Sequence, residues 1–172
     1  EEAYALVDED VKKAVAISKR NIHAFAKRSM RKDWKAKNIE GVEVGERFTP
    51  YDRVGVYVPG GKAPLVSTAL MTAAFGQAAG VPQILAASPA GPDGKLNPAL
   101  LYALVERGAT EIIKVGGAQA IAAMATRHLL DLGHRKIGMI SGYTQHNDRA
   151  DQRRLGFVTE LERQGQRVNA TA

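Results

Sequence analysis

GGAQAIAAMATRHLLDLGHRKIGMISG, residues 116 to 142, decides how the fold is read. It opens on a glycine turn at Gly116 and Gly117. A helix follows over 118–132, closed by Gly133, and the stretch ends in a strand, KIGMIS, at 136–141. Glycine suits the left-handed residue at which helices commonly end. Within the helix Ala118, Ile121, Ala122, Ala125, Leu129 and Leu132 recur at helical spacing and predict one continuous apolar stripe.

The same strand–turn–helix unit repeats upstream. VGVYV (54–58) leads through a PGG turn into a helix over LVSTALMTAAFGQAA (65–79) that ends at Gly80. QILAAS (83–88) and the loop PAGPDGKLN (89–97) lead into PALLYALVERG, with Asn97 as its cap and Pro98 at its first position. EIIKV (111–115) then feeds the 116–142 stretch. Units of this kind in series predict an α/β protein with a four-stranded parallel sheet flanked by helices. The flavodoxin-like strand order 2-1-3-4 is preferred to a Rossmann-type order. Ahead of the sheet, VDEDVKKAVAISKRNIHAFAKRSM (7–30) has acids first and bases last, as a helix dipole favours, with Asp8, Glu9 and Asp10 at its start. GVEVGERFTPYDRVGVYVP (41–59) predicts a short antiparallel ribbon around FTPYD.

The 172 residues suit a single domain with its own core; 45% are hydrophobic and 24% charged. Cysteine is absent, which excludes disulfides and thiolate metal sites and agrees with a reducing compartment. No apolar run approaches the roughly 18 residues that span a bilayer, and no signal peptide opens the sequence. A cytoplasmic protein with no membrane partner is expected. The net charge is +6, and six bases cluster around Trp34 in KRSMRKDWKAK (27–37). They are read as the exposed C-terminal end of a helix rather than a nucleic-acid patch, so no nucleic-acid partner is expected.

Ligands of open parallel sheets bind beyond the strand C-termini. Here those ends carry PGGK (59–62), SPAGPDGK (88–95), VGGAQ (115–119) and SGYTQHNDR (141–149). None is a GxGxxG fingerprint and no GxxxxGK[ST] loop occurs, so small residues needed for tight turns explain them first. A small anion at helix N-termini is the ligand these loops admit. His23, His128, His134 and His146 lack metal-ligand spacing, and neither HExxH nor GxSxG occurs. No catalytic residue and no metal ligand are assigned.

RVGVYVPGGKAPLVSTALMTAA, AGVPQILAASPAGPDGKLNPALLYAL and EIIKVGGAQAIAAMA resemble histidinol dehydrogenase over about residues 1–124. The resemblance implies NAD contacts by Tyr57, from YVPGG, and Gln119, from GGAQA. The family's GPGN loop, its later zinc ligands and its Glu–His acid–base pair have no counterpart here. Phe75 stands where that family usually has proline. From about residue 125, TRHLLDLGHRKIGMISG and DRADQRRLGFVTELERQG resemble the effector domain of the lactose-repressor family, which has a periplasmic-binding-protein-like fold. That resemblance implies effector contacts at Arg153 and, less directly, Arg149. The combined expectation is one domain over 1–172 made by engineered joining of two fragments within helix 118–132. Such a chimera, de novo in origin, would be no enzyme, with no complete active site and only vestigial NAD and effector contacts. Two alternatives stand beside it: a weak NAD or small-anion binding module, and a fragment of an NAD-dependent histidinol dehydrogenase. Either a monomer or a homodimer is compatible with the sequence.

Overall fold

The structure, a computed structural model, describes residues 2–60, 64–141 and 143–167. In chain order it forms α1 (Glu2–Ala5), α2 (Glu9–Ser29), β1 (Trp34–Lys37), β2 (Glu43–Glu46) and β3 (Arg53–Tyr57). There follow α3 (Val66–Ala79), β4 (Gln83–Ala87), α4 (Pro98–Glu106), β5 (Glu111–Ile113), α5 (Gly117–Asp131) and α6 (Asp148–Arg163). β1 and β2 make an antiparallel ribbon, and a second sheet has the order β3-β4-β5. Thr110 pairs with Ile84 and Ile113 with Ser88, so β4 and β5 climb in the same direction. The chain divides into two units, one of residues 1–56, 65–85 and 98–111, the other of 57–64, 86–97 and 112–172.

An α/β protein is therefore what forms, but the four-stranded sheet in the order 2-1-3-4 is corrected to three strands with β4 central. The residues of β4 agree with that place: Ile84, Leu85, Ala86 and Ala87 are all buried, as in a strand covered on both faces. KIGMIS forms no strand. Gly138 interrupts its alternation, which weakens a strand, and β5 is only three residues long, so it offers a short ladder to join. Ile140 accordingly lies 103% exposed.

The ribbon forms with a different partner from the one expected. Glu43–Glu46 pairs with Trp34–Lys37, not with the segment beyond FTPYD, and Asn38 closes the turn by accepting from Val42 N–H at 2.8 Å. Of the basic run 27–37, Lys27 and Arg28 do stand in the last turn of α2, but the part around Trp34 is strand rather than helix end. α2 stops at Ser29, Met30 is extended, and Trp34 Nε1 donates to Glu46 Oε2 at 2.8 Å across the ribbon.

In the first unit Asp8 caps α2 by accepting from Asp10 N–H. α3 packs through Leu70 and four alanines, Ala69, Ala73, Ala74 and Ala78, whose small side chains allow close approach of its neighbours. It runs unbroken through Phe75, whose ring meets Phe25 of α2 edge to face at 6.4 Å. Tyr4 and Tyr102 meet likewise at 4.9 Å. Beside them Glu106 accepts from Lys19 Nζ at 2.9 Å and from the Tyr4 hydroxyl at 3.1 Å.

In the second unit α5 and α6 pack on each other. The buried residues of α5 are Ala120, Ala123, Thr126 and Leu130, while Ile121, Leu129 and Leu132 are largely exposed. The predicted stripe is thus rotated about the helix. The reason is Gly156 of α6, which seats directly on the backbone of Gln119 and brings that side of α5 inward. Asn147 caps α6 by accepting from Ala150 N–H at 3.1 Å.

Two outcomes follow from these contacts. A Cβ at Gly156 would lie 2.3 Å from the Gln119 carbonyl oxygen, and neither backbone can turn aside. Gly156→Ala should cost about 1–3 kcal/mol in denaturant unfolding, against the roughly 1 kcal/mol gain expected of Gly→Ala in a free helix. The hydrogen bond from Lys19 holds the Glu106 carboxyl below its ordinary value of 4.5, and the Tyr4 hydroxyl adds to this against the cost of burial. A lowered folded pKa gives stability that is present above 4.5 and fades as pH falls through the depressed value. Wild type should therefore melt above Glu106→Gln at neutral pH, with the gap closing in acid; a gap constant with pH would contradict this assignment.

Candidate functional site

The strand C-termini of the second unit converge on a single proline. Pro89 follows β4, and its ring fills the space that side chains at Gly60 and Gly116 would need. A Cβ on Gly60 would stand 2.2 Å from Pro89 Cγ, and one on Gly116 2.7 Å from Pro89 Cβ. Glycine is required at both places by close approach to the ring. Hydrogen bonds tie the same loops together: Val58 N–H donates to Ala87 O at 2.9 Å and Ser88 N–H to Ile113 O at 3.1 Å. The Ser88 side chain is buried, and its hydroxyl has no partner among the described residues.

Gly117 takes the left-handed conformation, φ 60°, as α5 begins. This turns its N–H toward the Tyr57 hydroxyl oxygen, which accepts it at 2.9 Å. The phenol is thereby held against the first turn of the helix that carries Gln119. Gly116, the N-cap of α5, has no side chain to cap the helix, so Tyr57 takes the place of a cap for the first amide at the positive end of the helix dipole. Gln119 borders a cleft of about 280 Å³, together with Ile113, Val115, Gly156, Thr159 and Arg163. On its wall Glu160 is buried and accepts from Arg163 through both carboxylate oxygens at 2.9 Å.

Tyr57 and the start of the Gln119 helix are thus brought together. Arg149 and Arg153 stand on the exposed face of α6 and do not border the cleft. His128 and His134 are exposed at the far end of α5. His146 sits in the loop before α6 at φ 59°. Among the described residues no three His, Cys, Asp or Glu side chains gather to hold a metal. Gly61 and Lys62 of the PGGK loop, and Gly142, lie outside the described residues. Sequence reading placed Pro89 in the loop SPAGPDGK (88–95) but gave it no role; its one signal was a proline just after a buried strand.

Two strand–helix–strand crossovers, with glycine turns at the strand C-termini, define an α/β protein whose candidate site is built from backbone and small residues. The family model described as histidinol dehydrogenase matches residues 1–132, and the chain belongs to that family. It is 45% identical over 123 residues to the histidinol dehydrogenase of Synechococcus sp., covering 72% of this chain and 28% of that protein. Histidinol dehydrogenase 2 of Nostoc sp. is 46% identical over 123 residues, with the same shares covered. The histidinol dehydrogenase of Gloeobacter violaceus is 41% identical over 139 residues, 81% of this chain and 30% of that protein. The crystal structure of histidinol dehydrogenase from Elizabethkingia anophelis superposes with a TM-score of 0.66 at 27% identity, over 90% of this chain and 36% of that one. The chain spans less than a third of the length of these curated relatives.

These matches correct two expectations. The family match runs through residue 124 to 132 and so includes the whole of α5, where a join to a lactose-repressor-like, periplasmic-binding-protein-like segment was expected. The structural match extends further, over 90% of the chain. The reading as a functionless de novo chimera is overturned. A helix with an apolar face and a glycine end occurs in any parallel α/β unit, so that resemblance did not define a separate origin. The expectation of no enzymatic character is overturned as well, since the relatives are dehydrogenases.

The Pro89 packing is open to test. Gly116→Ala should destabilise the chain by about 1–3 kcal/mol, and Pro89→Ala should relieve much of that loss in the double variant. Strictly additive losses in urea unfolding would mean the two residues do not touch.

Proposed function

We propose that the chain is a part of an NAD-dependent histidinol dehydrogenase and supplies one wall of its cofactor cradle. The observation that carries this reading is the hydrogen bond from Gly117 N–H to the Tyr57 hydroxyl oxygen. It joins at one point the two blocks, YVPGG and GGAQA, through which the resemblance to the family assigns Tyr57 and Gln119 to NAD. The surroundings suit a phosphate-bearing cofactor: Gly116 at the N-cap of α5 supplies no side-chain hydrogen bond, so beyond the Gly117 N–H that Tyr57 holds, the positive end of the helix is open to an anion. When bound, NAD supplies the hydride acceptor for oxidation of an alcohol.

In this reading Tyr57 orients the cofactor with its ring while its hydroxyl stays fixed on Gly117, and Gln119 offers an amide to hydrogen-bond it. The described residues bring together no metal-donor set, and no proton-transfer pair is assigned within the chain, so the chemical step itself is assigned to no residue here. A cradle with one wall lacks the enclosure that makes small-molecule sites tight. NAD should therefore bind this chain weakly, with Kd on the order of millimolar. Calorimetric or NMR titration with NAD should show Gln119→Ala and Tyr57→Ala each weakening binding about tenfold, a loss typical of one polar or stacking contact. Absence of NAD binding, or binding indifferent to both substitutions, would overturn the proposal.

A further inference from the structure

The first unit contains a second, unrelated arrangement of charge. α2 presents Lys19, Arg20, His23 and Lys27 along one side, and these residues line an open cleft of about 600 Å³ with Gln77 of α3 and Arg107 just after α4. Arg20 and Lys19 lie three and four residues before His23, and Lys27 four after it, which puts all of them within reach of one side of the helix. Arg107 is the unusual member. It is 1% exposed, the largest fully buried side chain among the described residues.

Its hydrogen bonds do not neutralise it. Nη1 donates to the Gln77 amide oxygen at 3.1 Å and Nη2 to the Lys19 backbone carbonyl, both neutral acceptors. The neighbouring carboxylate, Glu106, is engaged by Lys19 and Tyr4 instead. Arg107 Nε is buried with no partner among the described residues, and so is His23 Nδ1 in the same cleft lining. A buried guanidinium without a counter-charge is costly, and burial pulls Arg107 below its ordinary pKa for that reason. The arrangement is therefore short of one anion. Of the five basic side chains lining the cleft, Lys19 alone pairs with a carboxylate among the described residues, while Lys27 Nζ donates to the neutral Ala78 carbonyl at 3.0 Å.

We propose that this cleft is a binding site for a phosphate-bearing small molecule, whose oxygens accept from Arg107 Nε and the His23 ring and are neutralised by Arg20 and Lys27. A tetrahedral phosphate has enough acceptor oxygens to meet several such donors at once, and charge-assisted bonds of this type are the strong ones. A single carboxylate has fewer sites to offer. The cleft is also roomy enough to take an ester attached to the phosphate rather than the bare ion. Nothing in this inference depends on the NAD reading, which concerns other residues in the other unit.

The test uses the 172-residue chain, with inorganic phosphate and a phosphate monoester such as glycerol phosphate as probes, against chloride at matched ionic strength. Side-chain NMR should show saturable shifts of the Arg107 Nε–H and His23 ring signals with both probes. Tighter binding of the monoester would identify an ester as the natural ligand, and equal binding free phosphate. Arg107→Gln risks misfolding, so the informative variant is Arg20→Gln with Lys27→Gln, both exposed on α2. It should weaken binding about tenfold or more while the far-UV spectrum stays unchanged. Phosphate that leaves both signals unmoved, or that binds the double variant as well as wild type, would overturn the proposal. So would the absence of any phosphate effect beyond that of chloride.

Discussion

The second unit depends on the ring of Pro89. Three loops end there, one from each strand of the β3-β4-β5 sheet, and the ring allows no side chain on the two glycines that face it. The central place of β4 explains why its own loop supplies the proline. Only the loop after the middle strand can touch the loops after both neighbours. With β3 in the middle, as the order 2-1-3-4 has it, the glycine at 60 would have held that position. Once the loops are packed in this way, Gly117 can turn its N–H to the Tyr57 hydroxyl, and the start of α5 is fixed relative to the end of β3. The candidate cofactor wall is a consequence of that packing.

The first unit is organised on a different principle. Its helices approach closely because α3 is largely alanine on its inner faces, and the cost of a buried charge is concentrated at one residue. Arg107 ties α2 to α3 and α4 through Lys19 and Gln77, so a polar side chain performs a joining role that apolar packing usually performs. Hydrogen bonds engage both of its terminal nitrogens but leave Nε without a partner among the described residues and the charge uncompensated. A residue with only that structural task could be neutral. The retained charge, beside Arg20, His23 and Lys27, is what distinguishes the cleft from a solvated helix face.

Several errors of sequence reading share one cause. Apolar periodicity says which side of an element can be buried, not whether a neighbour exists to bury it. KIGMIS alternates well enough for a strand, yet the three-residue length of β5 and the interruption at Gly138 keep it from forming one. In α5 the larger apolar side chains suggested one face, but Gly156 of α6 selected the adjacent face of alanines because it can approach the helix backbone there. Trp34 and its basic neighbours looked like a helix end because the acidic strand they pair with lies several residues further on. The supposed join within α5 rested on the same kind of local pattern. A helix and its glycine end look alike in unrelated α/β proteins.

What the sequence by itself determined is local. The helix starts at Asp8 and Asn97–Pro98, the left-handed ends at Gly80 and Gly133, and the strands VGVYV and QILAAS all follow from propensity and short-range sterics. So do the YVPGG and GGAQA blocks, whose spellings alone carry the likeness to histidinol dehydrogenase. The tertiary structure decided the strand order, the partner of the ribbon, the buried face of α5, the meeting of Gly60, Pro89 and Gly116, and the isolation of the Arg107 charge. Apart from the ribbon, whose two strands follow one another closely, each of these is a contact between residues distant in the chain, set by which surfaces fit, and no short window of sequence contains both partners.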